Sequence, residues 1–172
     1  MNNVVSSHVG NVKETRTKRK KESQMDIVII CVGKIKEEFY RNAMKKMSDE
    51  INQKHHFQVY EVGDEKTPDG ASKKEEEKII QIEGEKIEKF LRPDDNIIAL
   101  CIEGKQITKE ELKKSLIRMQ EQNSGRMVFL IGGSLGLWDK LIKKAQLKLS
   151  FSKMTFPHQL MRVMLTEVIC QL

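Results

Sequence analysis

Met127–Gly136 (MVFLIGGSLG) and Leu149–His158 (LSFSKMTFPH) are the two stretches on which the reading of the fold turns. In the first, Met127–Ile131 is a continuous apolar run that ends in Gly132, Gly133 and Gly136. Such a run marks a strand covered on both faces, because both of its alternating side-chain sets then meet protein. Leu137–Ala145 follows with helical character, and Leu147–Phe151 reads as the next strand. That strand enters a turn, Ser152–Pro157, and His158–Cys170 reads as a helix. Two strands joined through a helix, each ending in a loop, are the repeating unit of an α/β fold with a mostly parallel sheet.

The same alternation extends outward. Asp26–Val32 (DIVIICV) and Asn96–Ile102 (NIIALCI) are further buried strands, and Phe57–Val62 (FQVYEV) alternates as a strand. Lys36–Asn52 has helical spacing through Phe39, Ala43, Met47 and Ile51. Lys73–Leu91 is a charged helix with an apolar stripe through Ile80, Ile87 and Leu91, interrupted by Gly84 and stopped at Pro93. Between them, Gly63–Ser72 is a loop. Thr108 and Glu111 have the spacing of a capping box, which starts a helix running to about Gln122. Residues 1–24 lack apolar periodicity and read as a disordered basic arm, with Lys18-Arg19-Lys20-Lys21 inside it. Residues 25–172 then form one domain, large enough to bury a core without disulfides.

Charge points to a polyanionic partner. The chain of 172 residues carries a formal +6, and its distribution is uneven: +4 over residues 1–24, −3 over 25–125 and +5 over 126–172. The last third holds Arg126, Lys140, Lys143, Lys144, Lys148 and Lys153. Lys140, Lys143 and Lys144 share one helical face, which suits RNA backbone or is simply a solvated face. Aromatic residues are only 5% of the chain, so recognition by shape and phosphate is favoured over a stacking platform.

Several classes are excluded. The longest apolar run is far short of a bilayer span, and residues 1–24 lack the apolar core of a secretory signal. Cys31, Cys101 and Cys170 are scattered, with no C-x-x-C pair. That excludes a disulfide framework and argues against a metal site; Cys31 and Cys101 read as buried thiols in a reducing cytoplasm. The glycines miss the dinucleotide pattern G-x-G-x-x-G, and no G-K-[ST] follows them.

Loops at the carboxyl ends of parallel strands are where such folds bind ligands. Glu103-Gly104, the Gly132–Gly136 segment and Phe151–Phe156 all lie at such ends, so one pocket is expected there. A tight turn is the other reading of the glycines. Phe151, Met154 and Phe156 suit a purine-like ring, or the core. His158 follows Pro157 at the start of a helix, where imidazolium is disfavoured, and Arg162 is one turn on. A neutral imidazole beside a guanidinium suits contact with a phosphate, or with an imide that must lose its proton. His158 and Arg162 are therefore the catalytic candidates. The other reading of His158 is a residue packing its own helix. His55 and His56 read as surface residues in a polar turn.

Met25–Glu38 (MDIVIICVGKIKEE), NIIALCIEGK, VFLIGGSLGL and LSFSKMTFPHQLMRVMLTE together resemble the RlmH family, SPOUT-class pseudouridine N3-methyltransferases of large-subunit ribosomal RNA. The resemblance covers about residues 25–167. It implies a SPOUT-type α/β knot, in which the C-terminal part of the sheet threads a trefoil knot. It also implies a cytoplasmic homodimer, S-adenosylmethionine as methyl donor, no metal and no membrane. The implied acceptor is N3 of a pseudouridine in 23S ribosomal RNA of the assembled ribosome. By matching position, the cofactor contacts are Leu100, Gly132, Phe151, Ser152, Lys153, Met154, Thr155 and Phe156. Family members continue after Glu167 with an aromatic-Arg segment and a Tyr-His pair, whereas Val168-Ile169-Cys170-Gln171-Leu172 stands here. The expectation is a C-terminus cut short. The alternative function is a truncated, catalytically silent member that binds cofactor or RNA without methyl transfer.

Overall fold

The computed structural model describes residues 24–172. The expected basic arm, with Lys18–Lys21, lies outside the described residues apart from Gln24. The chain order is β1 (Asp26–Val32), α1 (Glu38–Ile51), β2 (His56–Val62), α2 (Lys73–Glu88), β3 (Asn96–Lys105), α3 (Lys109–Gln122), β4 (Met127–Ile131), α4 (Asp139–Lys144), β5 (Leu147–Leu149) and α5 (His158–Cys170). The strands form one sheet in the order β2-β1-β4-β3-β5, and every neighbouring pair is parallel. This is the expected α/β architecture.

The continuous apolar strands divide their side chains between two cores. Ile27, Ile29, Cys31 and Phe129 pack with Leu112, Leu116, Leu165 and Ile169 from α3 and α5. Val28, Ile30, Val128 and Leu130 pack with Ile87 and Leu141 from α2 and α4 on the opposite face. β1 and β4 are central, so neither set can face water. Burial of this kind is the main term holding the layers together. Ser72–Glu75 and Thr108–Glu111 close capping boxes at the starts of α2 and α3.

Several expectations need correcting. β3 runs to Lys105 rather than stopping at Ile102, because Ser150 N–H donates to Lys105 O at 3.0 Å after a register shift against β5. Gly104 permits this: a Cβ there would stand 2.5 Å from the carbonyl carbon of Leu149. β5 accordingly stops at Leu149. The α1 stripe faces the core through Met44, Met47 and Ile51, whereas Phe39 is 62% exposed. His55 is buried and its Nδ1 accepts from Met25 N–H at 3.3 Å, so it is no surface residue. Cys101 is only partly buried, unlike Cys31. The interruption at Gly84 has a packing cause, since a Cβ there would lie 2.6 Å from Trp138.

Candidate functional site

The carboxyl ends of β1, β3, β4 and β5 open on one end of the sheet. A cleft of about 640 Å³ lies there, within the range of small-molecule sites. Its walls come from β3, from Ile131–Leu137 after β4, and from the segment between β5 and α5. Leu100, Gly132, Phe151, Ser152, Met154, Thr155 and Phe156 all line it. Lys153 sits in the same loop but is exposed and outside the cleft wall. Of the eight positions that the family resemblance marks, Lys153 alone lies off the cleft wall.

Each wall is built locally. Gly136 N–H donates to Gly133 O at 3.0 Å, and Gly136 has φ of +96°, a conformation that favours glycine. A Cβ on Gly132 would lie 2.3 Å from the carbonyl of Gly136. The glycine segment is thus both a tight turn and a wall of the cleft. Behind it sits Glu83 of α2, buried, with Oε2 2.8 Å from where a Gly133 Cβ would stand. Glu83 Oε1 accepts from Glu65 N–H at 2.9 Å, and burial raises its carboxyl above the ordinary value. In the other wall, Ser150 Oγ donates to Ser152 O at 2.9 Å and Met154 N–H donates to Ser152 Oγ at 3.0 Å. The serines fold this loop on itself and leave Phe151, Met154 and Phe156 on the cleft.

The lining has a telling charge. It includes no lysine or arginine, and Glu103 is its one carboxylate. Apolar and aromatic surface with a single acid suits a neutral or cationic ligand that carries a ring. A polyphosphate would find no cationic partner in this wall.

His158 and Arg162 part company. His158 is half-buried on the cleft and stands over Gly33, with Nε2 3.0 Å from the position of a Gly33 Cβ. Desolvation, helped by the Arg162 charge and by Lys36, pushes its pKa below the ordinary value against the opposing Asp64. It is neutral at physiological pH. Arg162 is fully buried and faces away from the cleft. It donates through Nη1 to Glu61 Oε1, and through Nη2 to the Val32 and Gly33 carbonyls at 3.3 and 2.8 Å. It clamps the end of β1 and acts on His158 only through its charge. Burial pushes the neighbouring Cys31 thiol up to about 12, so that group is inert as a nucleophile.

Sequence reasoning passes over Gly33, Glu61, Asp64 and Glu83. Gly33 carries a signal, since it ends a buried strand as Gly132 does. Glu61 and Glu83 carry none; their partners are distant in sequence. The basic helical face also changes meaning. Lys140 and Lys144 bond Glu88 at 3.0 and 2.6 Å, and Lys143 pairs with Asp139. Arg126 is buried against Asp95. Much of the positive charge of residues 126–172 is therefore offset locally. Among the described residues no His, Cys, Asp and Glu group is placed to hold a metal, and no helix is long and apolar enough to cross a membrane.

Residues 25–171 match the family described as "Predicted SPOUT methyltransferase". The chain is 47% identical over 143 residues to the ribosomal RNA large subunit methyltransferase H of Clostridium botulinum (strain Kyoto / Type A2), covering 83% of this chain and 90% of that protein. It is 46% identical over 145 residues to the protein of the same name from Bifidobacterium adolescentis, covering 84% and 91%.

Proposed function

The chain belongs to the SPOUT methyltransferase family, and from that premise we propose that it methylates N3 of a pseudouridine in 23S ribosomal RNA, with S-adenosylmethionine as donor. The observation that carries this reading is the cleft itself: an aromatic and apolar wall without a cationic side chain, with a neutral histidine at its edge. That lining fits a cofactor that joins a purine to a positively charged sulfur. Bound there, S-adenosylmethionine would supply an activated methyl group whose sulfur leaves as a neutral thioether.

The protein's part is positioning and proton handling. Phe151, Met154 and Phe156 hold the ring, and the Gly132–Gly136 turn lets the ligand approach the main chain. His158, neutral and partly desolvated, takes the N3 proton of the acceptor base as that nitrogen becomes nucleophilic. Arg162 holds the floor beneath His158 and disfavours its protonation before the base arrives. The proposal includes a cytoplasmic enzyme working on the assembled ribosome. It also includes the trefoil knot that goes with this family.

A homodimer belongs to the same reading. A groove of about 670 Å³ lies where Ala43 and Met47 of α1 and Val163, Met164 and Val168 of α5 meet the Gln106–Leu112 and Leu149–Phe151 segments. Apolar surface of that kind on two adjacent helices fits a second copy of the chain.

Incubation with methyl-labelled donor and ribosomes from a strain lacking this methylation tests the function. Label in the large-subunit RNA is expected. Donor binding by calorimetry without any label would instead favour the silent member, and absence of both would overturn the assignment.

A further inference from the structure

The loop between β1 and α1, Gly33–Glu37, is held far more tightly than a surface connection needs to be. Gly33 N–H donates to Val62 O at 2.8 Å, and Gly33 O accepts from the buried Arg162. Ile35 N–H donates to Glu61 Oε1 at 3.3 Å, and Lys36 N–H to Gln159 Oε1 at 3.0 Å. Arg41 Nη1 donates to the carbonyls of Ile35 and Lys36. Strand β2, helix α5 and helix α1 thus all contribute to fixing five residues.

This frame presents Lys34, Lys36 and Glu37 outward, beside the exposed Arg41. Lys34 and Lys36 are exposed, and neither makes an ion pair with a described residue. They flank the stretch that carries His158: Lys36 N–H is bonded to the next residue of α5, Gln159, and the Lys36 charge is felt at the imidazole. The lysines of α4, by contrast, are engaged by Glu88 and Asp139. The cleft wall has no cation of its own. An RNA acceptor entering beside His158 therefore meets positive charge on this loop, whose backbone is held in place, as well as at the exposed Lys153 of the β5–α5 loop. Asp64, whose Cβ lies 4.0 Å from the position of a Gly33 Cβ, is the one negative charge felt at His158 and sits beside this same loop.

We propose that Lys34 and Lys36, on the clamped Gly33–Glu37 loop, are the phosphate-docking element that registers the RNA backbone next to His158. This rests on the RNA-methylating reading above. Rigid placement matters because a phosphate contact sets position and carries no base information. A pair of cations borne on a fixed backbone limits where the flanking nucleotide sits, and so where the acceptor base can reach.

The test uses the full chain with ribosomes lacking the methylation. K34A/K36A is compared with the parent for ribosome KM across a potassium chloride series, and for donor affinity by calorimetry. Each lost phosphate contact removes roughly 0.7–0.9 from the slope of log affinity against log salt, so the double variant should lose about 1.5 of slope. Its KM should rise about tenfold or more near 0.15 M salt, with unchanged donor affinity, and K34R/K36R should restore most of the loss. An unchanged KM and slope would overturn the proposal. So would an equal loss of donor affinity, which would make the loop part of the cofactor wall. Should the parent transfer no methyl at all, the function assignment fails separately. Ribosome co-sedimentation over the same salt series then reads the docking element, and equal slopes for parent and variant would overturn it.

Discussion

His158 takes its character from three neighbours. Burial, Arg162 and Lys36 lower its pKa, and Asp64 alone opposes them. The neutral form is the one that accepts a proton, so activity is lost as pH falls through the lowered value. We expect the acid limb of kcat/KM to have its midpoint below the ordinary histidine value of about 6.5. Asp64→Asn should move that midpoint further down, because it removes the charge that favours imidazolium. A midpoint above 6.5 in the parent would exclude His158 as the base. His158→Ala should lower turnover more than donor affinity; an equal loss in both would make it a wall residue. Glu83 obeys the opposite sign. Its carboxyl is raised by burial, so ionisation at neutral pH costs folded-state stability. Glu83→Gln keeps an acceptor for Glu65 N–H and sheds the charge. The variant should melt higher than the parent at pH 7, and the gain should vanish as pH falls below the ordinary carboxylate value, where the parent is protonated too. A gain independent of pH would point to packing instead.

At the scale of elements, α5 is joined to β1 and β2 by one side chain. Arg162 is 0% exposed, and its partner Glu61 keeps 33% of its side chain in contact with solvent. Removing Arg162 leaves Glu61 solvated but takes a donor from the Val32 and Gly33 carbonyls, at a cost of about 1–3 kcal/mol. Arg162→Ala should lower the urea midpoint by that order and speed hydrogen exchange at Gly33–Glu37. Arg162→Lys retains the charge but lacks the planar fork that reaches a carboxylate and two carbonyls together, and should recover only part of the loss. Full recovery by lysine would show that charge alone matters there. This clamp marks where sequence reading stops. The spacing of His158 and Arg162 places both on one turn of helix, yet it gives no sign that one faces the cleft and the other the core. The Thr108–Glu111 capping box, by contrast, was legible because all its partners lie within four residues. The β3–β5 register shift was not, since it depends on Gly104 meeting the backbone of Leu149.

For the whole molecule, the α1–α5 groove is the surface that a second copy would cover. Met164→Asp places a charge in that groove, and burying it unpaired in an interface is costly. Light scattering should report a dimer for the parent and a monomer for the variant; a dimer in both would put the interface elsewhere. Composition alone gave a different picture of the molecular surface. The excess of positive charge in residues 126–172 is real, but Glu88 and Asp95 offset part of it from other parts of the chain. The sequence by itself determined the alternation of strands and helices and the gathering of loops at the strand ends. Those are local properties: burial periodicity, turn chemistry and caps are written within a few residues of one another. Only the tertiary structure decided the strand order, the burial of Arg162, the seat of the glycine turn on Glu83 and which lysines are engaged in ion pairs. Each of these depends on residues far apart in the chain meeting in a place that neither one specifies alone.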